Sequence, residues 1–178
     1  MATLSSTALL VIDMQLGNFL GDNPIKNGGE LLNRVGFLIA KARAANVPIL
    51  YIMNCGSEGD PDEPGTKGWE VHPKVAPPEI NHIVEKTTPD AFHETNLKQE
   101  LDEMNVTRLI VAGLQTEYCI DTTCRRGSLL GYDVVLVSDA HSTWDSELFS
   151  AEDIITHHNS VLAGWFVSLS RTDEINFR

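Results

Sequence analysis

The sequence has few cysteines, few basic residues and no long apolar run. Its three cysteines, Cys55, Cys119 and Cys124, form an odd set at irregular spacing. That is no disulfide framework, so reduced thiols in a cytoplasmic compartment are expected. Only 13 Lys and Arg stand against 25 Asp and Glu, a formal net charge of −12. Such a surface repels phosphates, which argues against a nucleic-acid partner. No apolar stretch approaches the ~20 residues of a membrane helix. The segment Met1-Ala2-Thr3-Leu4-Ser5-Ser6-Thr7 has no basic region before its apolar run and is not read as a signal peptide. No repeat, low-complexity tract or linker is seen. One domain over residues 1–178 is expected.

What is present is ordinary for a globular chain, with 42% hydrophobic and 21% charged residues. Strand-like apolar runs alternate with helical patterns. Strands are expected at 7–13, 47–54, 83–85, 108–112, 134–138 and 167–169. Residues 30–45 carry Leu31, Leu32, Val35, Leu38, Ile39 and Ala42 at a helical period. Further helices are expected after Thr95, after Thr116 to about Leu130 with Gly131 as the stop, and after Ser150 to about Ala163. Residues 55–81 are rich in Gly, Pro and Asp without a period, as in a functional loop. The alternation implies an α/β fold, a three-layer αβα sandwich around a mostly parallel sheet of about six strands. Ligands of such sheets bind beyond the carboxyl ends of the strands.

Reactive groups collect at those ends. The first strand ends at Asp13, the third runs into Lys86, and the fourth leads into Gly113-Leu114-Gln115-Thr116-Glu117-Tyr118-Cys119. With Thr116 as N-cap, Cys119 falls in the first helical turn. Free backbone N–H groups, the helix dipole and a nearby ammonium would then favour its thiolate. Asp13 could carry the thiol proton, and first-turn amides could hold an oxyanion. Each residue alone also has an ordinary structural reading, as core thiol, cap or solvated charge. Their agreement on one sheet edge is the signal.

These pieces resemble the isochorismatase-like cysteine hydrolases, which include nicotinamidases and N-carbamoylsarcosine amidohydrolase. The matching segments are Val11-Ile12-Asp13-Met14-Gln15 with Phe19, then Glu85-Lys86-Thr87-Thr88-Pro89-Asp90-Ala91-Phe92, then Gly113 to Cys119. The resemblance runs from about Thr7 to Phe166. It implies an Asp13–Lys86–Cys119 triad and a cis peptide between Leu114 and Gln115. It also implies an oxyanion hole from the N–H groups of Gln115 and Cys119. The implied activity is hydrolysis of an amide, carbamoyl or lactam bond of a small molecule, by a homodimer or homotetramer. Leu162, Trp165 and Phe166 could serve that interface or the core. True isochorismatase chemistry on a vinyl ether is a second reading, which Cys119 disfavours. A non-catalytic binding protein on the same fold is a third.

Metal-binding relatives place an Asp-x-His motif after the second strand, where this chain has Asn54-Cys55-Gly56-Ser57. No metal or other cofactor is therefore expected. The acidic run 59–65 reads as a solvated turn, and His157 and His158 as structural. Gln15, Phe19, Trp69, Phe92 and Tyr118 are the candidate pocket walls beside Gln115. Trp69 could equally pin its loop to the core. Glu117 suits the helix dipole or is only a capping charge. Cys124 reads as a buried small residue, and Cys55 could face the site.

Overall fold

The computed structural model describes residues 6–76 and 82–177. Residues 1–5, in the segment not read as a signal peptide, and residues 77–81, the end of the long loop, lie outside the described residues. Among those described, six strands form one sheet: β1 (Ser6–Ile12), β2 (Ile49–Asn54), β3 (Ile83–Lys86), β4 (Val106–Leu114), β5 (Asp133–Ser142) and β6 (Ser168–Ser170). Their order is β3-β2-β1-β4-β5-β6. Every neighbouring pair is parallel.

The helices are α1 (Gly28–Ala44), α2 (Leu97–Glu103), α3 (Asp121–Leu129) and α4 (Ala151–Ala163). Strand alternation sorts the core into two halves, because successive side chains point to opposite faces. Leu9 and Val11 pack with Leu31, Leu32, Val35, Leu38, Ile39 and Ala42 of α1 on one face. Leu10 and Ile12 pack on the other with Leu97 and Leu101 of α2, Cys124 of α3 and Leu162 of α4. This is the three-layer αβα sandwich. The helical period of residues 30–45 named the buried face of α1 residue by residue. Ser150 caps α4 through a capping box with Asp153, as its position before an apolar helix suggested.

One expectation is corrected. The helix after β4 does not start on a Thr116 cap. Residues Thr116–Ile120 form a π-helical turn that leads into α3, and the Thr116 side chain makes no cap bond. Burial gives its hydroxyl another partner, Nδ1 of His141 at 2.9 Å. Of the three candidate interface residues, Leu162 is core and Phe166 lies under the Arg125 guanidinium, 4.6 Å from its ring. Only Trp165 is well exposed.

The chain moves outward from β1 through β2 to β3, then returns to lay β4 on the other side of β1. That reversal opens a crevice beyond the carboxyl ends of β1 and β4. At Gly113 the backbone has φ +127°, and a Cβ there would run into the Ile12 carbonyl. Glycine is what lets β4 turn beside β1 at the edge of the crevice.

Candidate active site

Asp13 follows β1 directly, in the left-handed region at φ 50°, a conformation that Asp tolerates better than most residues. Its backbone N–H still donates to Ile52 at 2.9 Å, so the residue is held at the strand end. Lys86 is the last residue of β3 and sits in register with Asn54 of β2. Its side chain crosses over β2 toward β1 and is fully buried. An ammonium has three N–H bonds, and each finds an acceptor. Nζ donates to Asp13 Oδ2 at 2.9 Å, to Asn54 Oδ1 at 3.2 Å and to Cys119 Sγ at 3.2 Å. Cys119 comes from the π-helical turn after β4. The Leu114–Gln115 peptide bond before that turn is cis.

The other oxygen of Asp13, Oδ1, is buried and accepts no hydrogen bond among the described residues. Burial raises the carboxyl above its ordinary range, and the Lys86 ammonium pulls against that. Burial would lower Lys86, but the Asp13 carboxylate and the Cys119 sulfur hold its ammonium above the usual lysine value. The Cys119 thiol is pushed up to about 12, by burial first and by the Asp13 charge second, with Lys86 opposing. The expected first-turn thiolate is thus outweighed. Beside the thiol stands the Asp13 carboxyl group, with Oδ1 unpartnered among the described residues.

A cavity of about 320 Å³ opens over these groups. Asp13, Leu114, Gln115, Tyr118 and Cys119 line it, as expected from the strand ends. Four expected wall residues lie elsewhere. Gln15 is fully buried, and its amide clamps the end of β2, donating to Asn54 O at 2.8 Å and accepting from Asn54 N at 2.9 Å. Phe19 meets His72 edge-on, with 5.0 Å between ring centres, and Phe19 and Trp69 pack against the core on the α1 face. Phe92 is buried on the opposite face and stacks on Tyr132. Cys55 also stays out of the wall, its thiol 3.8 Å from the Glu85 carboxylate. Cys124 is fully buried in the core.

In their place the wall takes Asn18, Asn54, Asp62 and Trp144, with Thr87, Thr88 and Pro89. The last three directly follow Lys86, so adjacency to the strand end could have named them. Asp62 was hidden in a stretch that reads as a solvated turn, and Trp144 carries no sequence signal. Glu117 is no simple capping charge: its Oε1 accepts from Gln115 Nε2 and from Thr143 Oγ1, both at 2.8 Å. His158 meets Asp121 at 3.0 Å, a structural contact. Among the described residues no group of three or more His, Cys, Asp or Glu is placed to hold a metal ion. No described helix is long and apolar enough to cross a membrane.

The family model for the isochorismatase domain matches residues 7–155. The chain belongs to the isochorismatase family of hydrolases. Among this family's curated members, a streptothricin hydrolase of Streptomyces noursei is 40% identical over 138 residues, 78% of this chain and 50% of that protein. The chain thus spans about half the length of that relative. Nicotinamidase 3 of Arabidopsis thaliana is 32% identical over 81% of this chain and 77% of its own. A cysteine hydrolase from Pseudomonas syringae pv. phaseolicola 1448A has the same isochorismatase fold, with a TM-score of 0.86 at 27% identity, covering 95% of this chain and 90% of that one.

Proposed function

We propose that this isochorismatase-family protein is a cysteine hydrolase that cleaves an amide-like carbon–nitrogen bond of a small molecule through a thioester on Cys119. The observation that carries this reading is the single ammonium of Lys86 bonded to both Asp13 and Cys119 beneath an open cavity. That arrangement supplies a nucleophile, a proton carrier and a fixed positive charge at one point.

Sγ of Cys119 attacks the carbonyl carbon while its proton passes to Asp13, whose Oδ1 is the unpartnered oxygen. The negative charge moves to the carbonyl oxygen, which the N–H groups of Gln115 and Cys119 receive. The tetrahedral intermediate collapses, the C–N bond breaks, and Asp13 returns the proton to the departing amine or ammonia. A water then gives a proton to Asp13 and its hydroxide to the thioester carbonyl. The acid leaves and the thiol is restored. Lys86 holds the Asp13 carboxylate in place throughout, and no metal or organic cofactor enters the scheme. The names of two relatives, a hydrolase of streptothricin and a nicotinamidase, point to the same bond class.

The test is a panel of primary amides, ureides and lactams, with ammonia or ring opening as the readout. Wild type should turn over at least one, and Cys119→Ala should fall to background with an unchanged circular dichroism spectrum. Mass spectrometry of quenched wild type should show an acyl adduct on Cys119. Near-normal hydrolysis by Cys119→Ala would refute the mechanism, and vinyl ether hydrolysis without amide hydrolysis would favour isochorismatase chemistry.

A further inference from the structure

The walls of the cavity are unbalanced in charge. Among the described residues that line it there is no Lys, Arg or His, while two carboxyl groups are present, Asp13 and Asp62. Asp13 is matched by Lys86, which is buried beneath the floor with all three of its N–H bonds already spent. Among the described residues Asp62 has no ion-pair partner. Its one described side-chain partner is the neutral amide of Asn54, which donates to Oδ2 at 2.7 Å. A carboxylate has about four acceptor positions, and among the described residues Asn54 fills one of them.

Asp62 is also held, as a recognition group must be. The amide of Asn54 gives one end to Asp62 and accepts from Lys86 with the other, so the carboxylate is fixed relative to the triad. The loop closes behind it through a bond from Gly56 N to Asp62 O at 3.1 Å. Its charge is near enough to push the Asp13 carboxyl further up. Two aromatic residues, Trp144 and Tyr118, also line the cavity. The indole of Trp144 is tethered by its N–H to Asn23 O at 2.9 Å. Aromatic faces attract cations and add nothing for an anion. Just outside the wall Glu117 accepts from the lining residue Gln115, and its Oε2 is buried without a hydrogen-bond partner among the described residues. Around the reacting centre this makes three carboxyl groups and one ammonium. Among the described lining residues an anionic substrate would meet no cationic side chain to pair with its charge.

We propose that the cavity selects amides bearing a positive charge, an ammonium or guanidinium, at a distance from the scissile bond, and that Asp62 is the residue that reads that charge. The proposal rests on the amide-hydrolase reading for the position of the scissile group. It goes further in naming the substrate class and in setting carboxylate-bearing amides and ureido acids aside. The overall net charge of −12 acts in the same direction by drawing cations to the surface.

The probes are three primary amides on the same pentyl chain, ending in an ammonium, a methyl or a carboxylate. Their dissociation constants are measured by calorimetry on the Cys119→Ala protein, so the readout does not depend on thioester chemistry. The expected order is ammonium tighter than methyl, and methyl tighter than carboxylate. The ammonium should lead the methyl by about 5- to 10-fold at low salt, the size of one charge pair across a partly solvated cavity. Raising the salt should shrink that ratio. Asp62→Asn in the same background should bring the ratio close to one, and Asp62→Glu should keep most of it. A residue that merely supports Asn54 would lower all three affinities together and leave the ratio alone, and that result overturns the proposal. Equal binding of all three probes, tighter binding of the carboxylate, or no binding of the ammonium also overturns it. Failure of the thiol mechanism would appear instead in the turnover panel, where wild type would release no amine.

Discussion

The hydroxyl of Thr116 lies 2.9 Å from Nδ1 of His141, and both side chains are buried. The remaining bonds assign the protons. Asn159 donates its amide N–H to Ser138 O, so its Oδ1 is the acceptor for His141 Nε2–H. Nδ1 therefore accepts from Thr116. A neutral imidazole thus ties the π-helical turn that carries Cys119 to β5 and α4.

His141 makes stability depend on pH. Burial first, and then the neighbouring His158, lower its pKa from 6.5 to about 4, with Asn159 and Asp139 pulling the other way. Below pH 6.5 the unfolded chain takes up a proton that the folded chain refuses. Stability therefore falls as pH drops from about 6.5 to about 4 and is flat below, a loss on the order of 3 kcal/mol. His141→Gln should be less stable at pH 7, and the gap to wild type should narrow toward pH 4.5. Urea unfolding at several pH values checks this, and parallel pH slopes for the two proteins would sink it.

Asp13 and Lys86 form an ion pair with side chains 7% and 0% exposed. Removing one partner strands the other in the interior, which costs about 3–5 kcal/mol. Asp13→Asn and Lys86→Met should each destabilise the fold on that scale and abolish turnover. The double variant strands no charge, so its loss should be smaller than the sum of the two by roughly 1–3 kcal/mol. Denaturant melts of the four proteins give the cycle. Additive losses would mean that the pair is not energetically coupled.

Gln15 closes both backbone groups at the end of β2. Gln15→Ala leaves a buried N–H and a buried carbonyl unpaired, at about 1–3 kcal/mol each. Asn54 also accepts from Lys86, so the effect should reach the chemistry. A fall in kcat larger than the rise in KM is expected. An unchanged kcat alongside the full stability loss would show that the clamp does not steer Lys86.

The readable parts of the fold are those governed by local pattern. The 3.6-residue period of α1 named its buried face, and the Ser150 position named a cap. The turn after β4 is not legible from local pattern, because Thr is a common helix cap, whereas here its hydroxyl is claimed by a histidine 25 residues away. The pocket walls are illegible for a similar reason. Nearness to Asp13 in sequence suggested Gln15 and Phe19, but one bonds β2 and the other packs on the core.

The sequence by itself determined that reactive groups stand at strand ends, because those positions follow from the alternating apolar runs. It put Asp13, Lys86 and Cys119 at the carboxyl edge, and the structure describes them within hydrogen-bond reach through Lys86. Only the tertiary structure decided the surroundings of the thiol, since desolvation depends on everything packed around Cys119 and pushes its pKa up. It also decided the charge of the pocket. Asp62 reaches the cavity by way of a long loop whose path is set by contacts such as Asn54, and no local pattern encodes that path.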